Sequence, residues 1–165
     1  MPAPLLPPEL AAPFGAVETW LKPFGLSLTL DPDTRHFSEG QCGEYEDGSV
    51  FEKDITIRVH RENIRDYVDE QSPWGNSFED ECSLTVYHEV GHALVQQLVD
   101  YSENIAEFLP SVERLFGDRF FDVFNDDNLS EEELVEDFAY GFLDGTGSTL
   151  QECAEACLKG NFPQQ

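Results

Sequence analysis

Histidines at positions 88 and 92 with a glutamate at 89, in the stretch "TVYHEVGHALVQQL", make a spacing that can do hydrolytic chemistry. On a helix, residues four apart lie about 6 Å apart along the axis and about 40° apart around it, so both imidazoles leave from one face. Two neutral ring nitrogens at about 2.0 to 2.1 Å can then share one tetrahedral zinc ion. Glu89 follows the first histidine, where its carboxylate reaches a metal-held water without being a ligand and can take its proton as general base. Gly91 keeps the helix slim between the two histidines, which lets another element approach. On this composition the pattern arises by chance about once in a hundred chains. Two of the chain's 4 histidines sit on a stretch that is otherwise nearly apolar, and buried imidazoles need partners.

A catalytic zinc site takes three protein ligands and leaves a position open, so a third ligand must come from elsewhere. The extended pattern HExxHxxGxxH is excluded, because Val95 and Leu98 occupy its glycine and third-histidine positions. Cys42, in "EGQCGE", has a faint likeness to the deformylase pattern, whose other segments are missing. Asp100, eight residues after His92, would suit an aspartate-ligated class. The remaining source is the acidic stretch "SEEELVEDFAYGF", with Glu131, Glu132, Glu133 and Glu136.

The pair "HEVGHAL" and "VEDFAYGF" resembles the gluzincin metallopeptidases, most closely the catalytic domain of the anthrax lethal factor type, over about Thr85 to Phe142. The resemblance implies a zincin-like α+β fold and a zinc-dependent endopeptidase. His88, His92 and Glu136 would be the metal ligands, with Glu89 the general base. A competing reading makes Glu133 the ligand, since Glu133 and Asp137 have the ExxxD spacing of the thermolysin-like branch, where the aspartate supports a zinc-bound histidine. Glu131 and Glu132 read as helix N-terminal charges that suit the dipole. Two positions depart from the family pattern: Leu129 stands where the lethal-factor group has an oxyanion-stabilising tyrosine, and Tyr140 stands where it has an acid. Tyr140 could take the oxyanion role, and so could His60, which as a lone histidine is more often structural. The resemblance also implies an extended peptide lying along a sheet edge, for which Asp47 to His60 is the expected provider.

The elements that must position these residues can be read from periodicity and caps. Residues 1–24 are rich in Pro and Ala and read as an arm with one short helix around Ala16 to Leu21. "LSLTL", Leu26 to Leu30, alternates like a strand. "EYEDGSVFEKDITIRVH" suggests a hairpin about a two-residue Asp47-Gly48 turn, with Phe51, Ile55, Ile57 and Val59 on one face. The expectation is a small, mostly antiparallel N-terminal sheet on a central helix, followed by a helical half. Arg61 to Asn76 carries little signal, with "SPWGN" a loop. Ser77 with Asp80 opens the central helix, from about Phe78 to about Val99. Asn104 to Phe124 reads as helical, interrupted at Pro110 and Gly117. Ser130 with Glu133 caps a helix to about Leu143, and Ser148 with Gln151 caps a last one ending before Gly160.

The chain has 165 residues, the length of one ordinary domain, and 40% hydrophobic residues, enough for a core. Its 34 acidic residues against 9 basic ones give a formal charge of −25. Such a field repels nucleic acid and anionic membranes, and favours basic peptides or divalent cations such as calcium. The first thirty residues, broken by six prolines, lack a secretory signal, and no stretch approaches the roughly 18 apolar residues of a membrane span. The reading is a soluble, cytoplasmic protein, with self-association one way for so minimal a peptidase to limit its action. Cys42, Cys82, Cys153 and Cys157 form no CxxC pair and fit a reducing compartment. Cys153 and Cys157, four apart, read as packing residues. The rival class is an acidic interaction protein with a structural or vestigial zinc site and no activity, which would have no use for Glu89.

Overall fold

A computed structural model describes residues 6–32, 41–46, 48–124 and 131–158. In chain order its elements are α1 (Pro8–Leu21), a short 3-10 turn (Lys22–Phe24), β1 (Ser27–Pro32), β2 (Gly43–Glu46), β3 (Asp54–Val59), α2 (Arg61–Gln71), α3 (Phe78–Asn104), α4 (Phe108–Phe116), α5 (Phe121–Phe124), α6 (Glu131–Asp144) and α7 (Thr149–Cys157). The fold is α+β and mostly helical, with a three-stranded mixed sheet among the described residues.

Helix α3 is the axis of the molecule. Ser77 caps it, its side chain accepting from the Asp80 backbone N–H at 3.1 Å, and its 27 residues span about 40 Å. Val86, Val90, Leu94 and Leu98 are fully buried along it, because the sheet, α1, α6 and α7 all pack against this helix. It runs past the expected end at Val99, to Asn104.

The expected N-terminal arm is instead a docked helix. Pro8 lies in the first turn of α1, where a missing N–H costs nothing. Pro13 sits inside the helix, at a cost of about 3 kcal/mol. Leu10, Val17 and Leu21 are completely buried, and at about 1.5 to 3 kcal/mol each their burial outweighs that cost. Trp20 ties α1 onward, its indole N–H donating to Glu155 at 2.9 Å and its ring lying 5.6 Å from that of Phe138.

The sheet is also rearranged relative to the expected antiparallel meander. Its order is β1-β3-β2, with β3 parallel to β1 (Leu28 beside Ile55, Leu30 beside Ile57) and antiparallel to β2 (Tyr45 beside Ile57). Strand β3, within the stretch 47–60 expected at the edge, is therefore central among the described residues, and the short β2, residues 43–46, lies at an edge beside α3. The expected Asp47-Gly48 turn includes Asp47, which lies outside the described residues; Glu46 pairs with Thr56, and a turn closed by Glu52 N–H to the Ser49 carbonyl (3.0 Å) precedes β3. Phe51 takes a positive φ of 61° there. The cause is tertiary: buried Asp100 accepts from the Phe51 N–H at 3.2 Å, and Gln97 donates to the Glu52 carbonyl.

Helix α2 forms where no element was expected, because Ile64 alone among its residues is buried. His60 caps it, accepting from the Asn63 N–H at 3.3 Å. Pro110 does not interrupt α4 but lies in its first turn, and Gly117, at φ 64°, ends it. Ser148 caps α7 as expected, accepting from the Gln151 N–H at 3.2 Å, whereas Ser130 lies outside the described residues. No described helix is long and apolar enough to cross a membrane.

Candidate metal centre

The helical spacing places His88 and His92 on one face of α3, with ring centroids 4.9 Å apart and Nε2 atoms 3.3 Å apart. Helix α6 reaches that face because Gly91 lets it in: a Cβ there would come within 2.9 Å of Val135 and 3.3 Å of Phe138. The first two turns of α6 consequently lie over the histidines. Glu132 faces both inner nitrogens, with Oε2 3.2 Å from His88 Nε2 and Oε1 3.1 Å from His92 Nε2. Glu136 Oε2 lies 3.1 Å from His88 Nδ1, and Glu131 Oε2 lies 2.5 Å from His92 Nδ1.

Both ring nitrogens of each histidine therefore face a carboxylate, Glu132 at the two Nε2 atoms and Glu136 or Glu131 at Nδ1. A cation held by the two Nε2 atoms and Glu132 would leave each Nδ1–H to donate to its outer carboxylate. An ion held tetrahedrally at about 2.0 to 2.1 Å needs its two nitrogens about 3.3 Å apart, and that is the separation here. Among the described residues, His88, His92 and Glu132 are the group whose donor atoms converge within 4.8 Å. The donor set of two imidazoles and one carboxylate suits zinc.

The convergent group contains Glu132 and not the expected Glu136, which lies one turn later and contacts His88 on its Nδ1 side. The four-residue spacing considered for Glu133 and Asp137 is also that of Glu132 and Glu136. Glu133 is exposed and outside the convergent group, as is Asp137.

Glu89 lies beside the histidines, only 8% exposed. Burial pushes its carboxyl up from the ordinary 4.5 to about 7, nearby Glu132 and Glu44 add to the rise, and His92 opposes it. The cover is β2: a Cβ on Gly43 would stand 3.0 Å from Glu89 Oε2 and 2.6 Å from the Thr85 methyl group. Only glycine lets the edge strand lie this close. Between β2 and the α6 carboxylates a cavity of ≈ 420 Å³ opens onto His88, Glu89 and His92.

The other sequence candidates fall outside the convergent group. Tyr140 is 40% exposed, and its hydroxyl accepts from Asn76 Nδ2 at 3.2 Å. It walls a second cavity of ≈ 320 Å³ beside His88, together with Cys42 and with Tyr67 of α2. Burial and then Glu81 and Glu89 raise the Cys42 thiol, which disfavours thiolate ligation. Asp100 is committed to Phe51 and to Gln96 Nε2 at 2.8 Å, about 12 Å along the helix from His92. His60 is the cap of α2. Leu129 lies outside the described residues. Cys153 and Cys157 are buried, and contact with Cys157 together with burial holds the Cys153 thiol protonated, consistent with packing.

From the sequence Glu132 reads as a helix N-terminal charge, and Tyr67 is not singled out. The signal available for Glu132 was its four-residue spacing to Glu136 opposite Gly91; Tyr67 carried none, since α2 itself was not visible. Comparison of the chain with protein-family models, with curated proteins and with solved structures finds no match.

Proposed function

We propose that the protein is a zinc-dependent endopeptidase, similar in organisation to the gluzincins, with His88, His92 and Glu132 as metal ligands and Glu89 as general base. The observation that carries this reading is the convergence of two imidazole nitrogens and a carboxylate beside a buried glutamate on an open cleft. Zinc, when bound, supplies Lewis acidity toward water and a carbonyl oxygen.

The chain's own residues supply the rest. Glu131 and Glu136 hold the imidazole rings and their tautomers, which sets ligand direction. Glu89, with a carboxyl raised to about 7, accepts the proton of the attacking water near neutral pH and returns it to the departing amine. Strand β2, at the sheet edge among the described residues, runs along the cleft, where an extended peptide can pair through its backbone. Tyr140, at the His88 end, has the hydroxyl available to a developing oxyanion.

The test is metal content and peptide cleavage in wild type and Glu89→Gln. The reading requires one zinc per chain in both proteins and cleavage in wild type alone. Zinc in both with cleavage in neither would identify a structural site and an interaction protein. Equal cleavage by both would remove Glu89 from the mechanism.

A further inference from the structure

A second cavity adjoins the first beside His88 and Glu89. It shares Gly43, His88 and Glu89 with the first cavity and extends past them between α2, α3 and α6. Its walls are two tyrosines whose rings are left unusually open, Tyr67 at 42% and Tyr140 at 40% exposure. Between them stand the carboxylates of Glu81 and Glu136, and no Lys or Arg among the described residues lines either cavity.

Both carboxylates keep spare capacity. Glu81 uses Oε1 to accept from Asn76 Nδ2 at 2.8 Å, and Glu136 uses Oε2 on His88. Each carboxylate offers about four acceptor positions, so a donor entering the cavity finds free lone pairs on both. An apolar side chain placed there would strip water from two charges and give nothing back. An acidic one would be repelled. A long aliphatic stem ending in a cation satisfies all four walls, with its methylenes on the rings and its charge within reach of cation–π and ionic partners.

We propose that this cavity selects the substrate: it takes the Lys or Arg side chain of a residue adjoining the cleaved bond, with its stem against Tyr67 and Tyr140 and its cation toward Glu81 and Glu136. The inference rests on the peptidase reading and adds to it a specificity the general acidity of the surface does not define. Glu81 and Tyr67 are assigned to recognition and not to the chemical step.

The experiment separates the two levels. Peptides identical except for Lys, norleucine or Glu at one scanned position are titrated, by fluorescence anisotropy, against the zinc-loaded Glu89→Gln protein, which binds without cutting. One position is expected where Lys binds at least about tenfold more tightly than norleucine. Glu81→Gln, which can keep the Asn76 contact, should remove most of that advantage, and Glu81→Lys should move it to the Glu peptide. Tyr67→Leu, at an exposed position, should weaken the Lys and Arg peptides more than the norleucine peptide. Cleavage-site mapping with wild type should place Lys or Arg at a fixed position beside the cut. Cleavage without that preference, or a Lys preference untouched by the Glu81 variants, overturns the specificity assignment and leaves the peptidase standing. Absence of both binding and cleavage for every peptide, with zinc bound, removes the peptidase and the assignment together.

Discussion

Glu89→Gln should flatten the pH dependence of the metal-free protein's stability while leaving its fold intact. Glu89 is raised from 4.5 to about 7 by burial under β2, so the folded state holds its proton more tightly than the unfolded state does. A group raised in this way contributes stability that is complete below the unfolded value of 4.5 and is lost as pH climbs through 7. The whole difference corresponds to about 3 kcal/mol, of which about 2 kcal/mol disappears between about pH 5.5 and pH 8.5. Gln occupies the same volume and cannot ionise, so it removes this loss. Any fixed cost of burying its amide, about 1 to 3 kcal/mol if unpaired, is independent of pH and shifts the curve without tilting it. Groups remote from Glu89 contribute equally to both proteins and cancel in the comparison. Urea unfolding of both chelator-treated proteins across that pH range gives the two slopes. Profiles that run parallel, within about 0.5 kcal/mol, would show that Glu89 is not desolvated and that β2 does not cover it.

Other outcomes follow from the same geometry. Glu132→Ala should abolish stoichiometric zinc binding, whereas Glu136→Ala, which removes a supporter of His88, should weaken it by about 10- to 100-fold; a competition assay with a chromophoric chelator ranks them, and the reverse order would return the ligand role to Glu136. Gly43→Ala drives a methyl group into Thr85, 2.6 Å from its Cγ2, and should destabilise by about 1 to 3 kcal/mol. Thr85→Ser, which deletes that methyl and keeps the hydroxyl bond to the Glu81 carbonyl, should recover part of the loss in the double variant, and strict additivity would disprove the contact. Ser148→Ala should cost about 1 kcal/mol in chemical unfolding through loss of the α7 cap.

What could be read from the sequence was what a single element determines. The His88, Glu89 and His92 arrangement needs only one helix, and Ser77 and Ser148 announce their helices through contacts three residues away. The choice between Glu132 and Glu136 is of another kind. The two share a face of α6, so which meets the inner nitrogens depends on where α6 stops sliding along α3. That stop is set by Gly91 against Val135 and Phe138, contacts between residues more than forty positions apart. The sheet was misread for a similar reason: nothing local in "EDGSVFEKD" reveals that Asp100 and Gln97 hold the turn open, or that β3 goes in beside β1. Helix α1 was hidden by its prolines, whose local cost is visible while the burial that offsets it is not. Helix α2 was hidden by a solvent-facing composition around one buried residue, Ile64.

The three carboxylates in the opening turns of α6 have a consequence for assembly as well as for chemistry. Glu131, Glu132 and Glu136 point at a helix face that already carries Glu89, in a chain with a formal charge of −25. A dication captured between α3 and α6 would act there as a clasp between two helices that bring these carboxylates together. Its occupancy would add to folding free energy as RT ln(1 + [Zn]/Kd), about 2.7 kcal/mol at a hundredfold excess over Kd. If the proposed zinc site is correct, the protein's stability would then follow zinc concentration independently of any catalytic turnover.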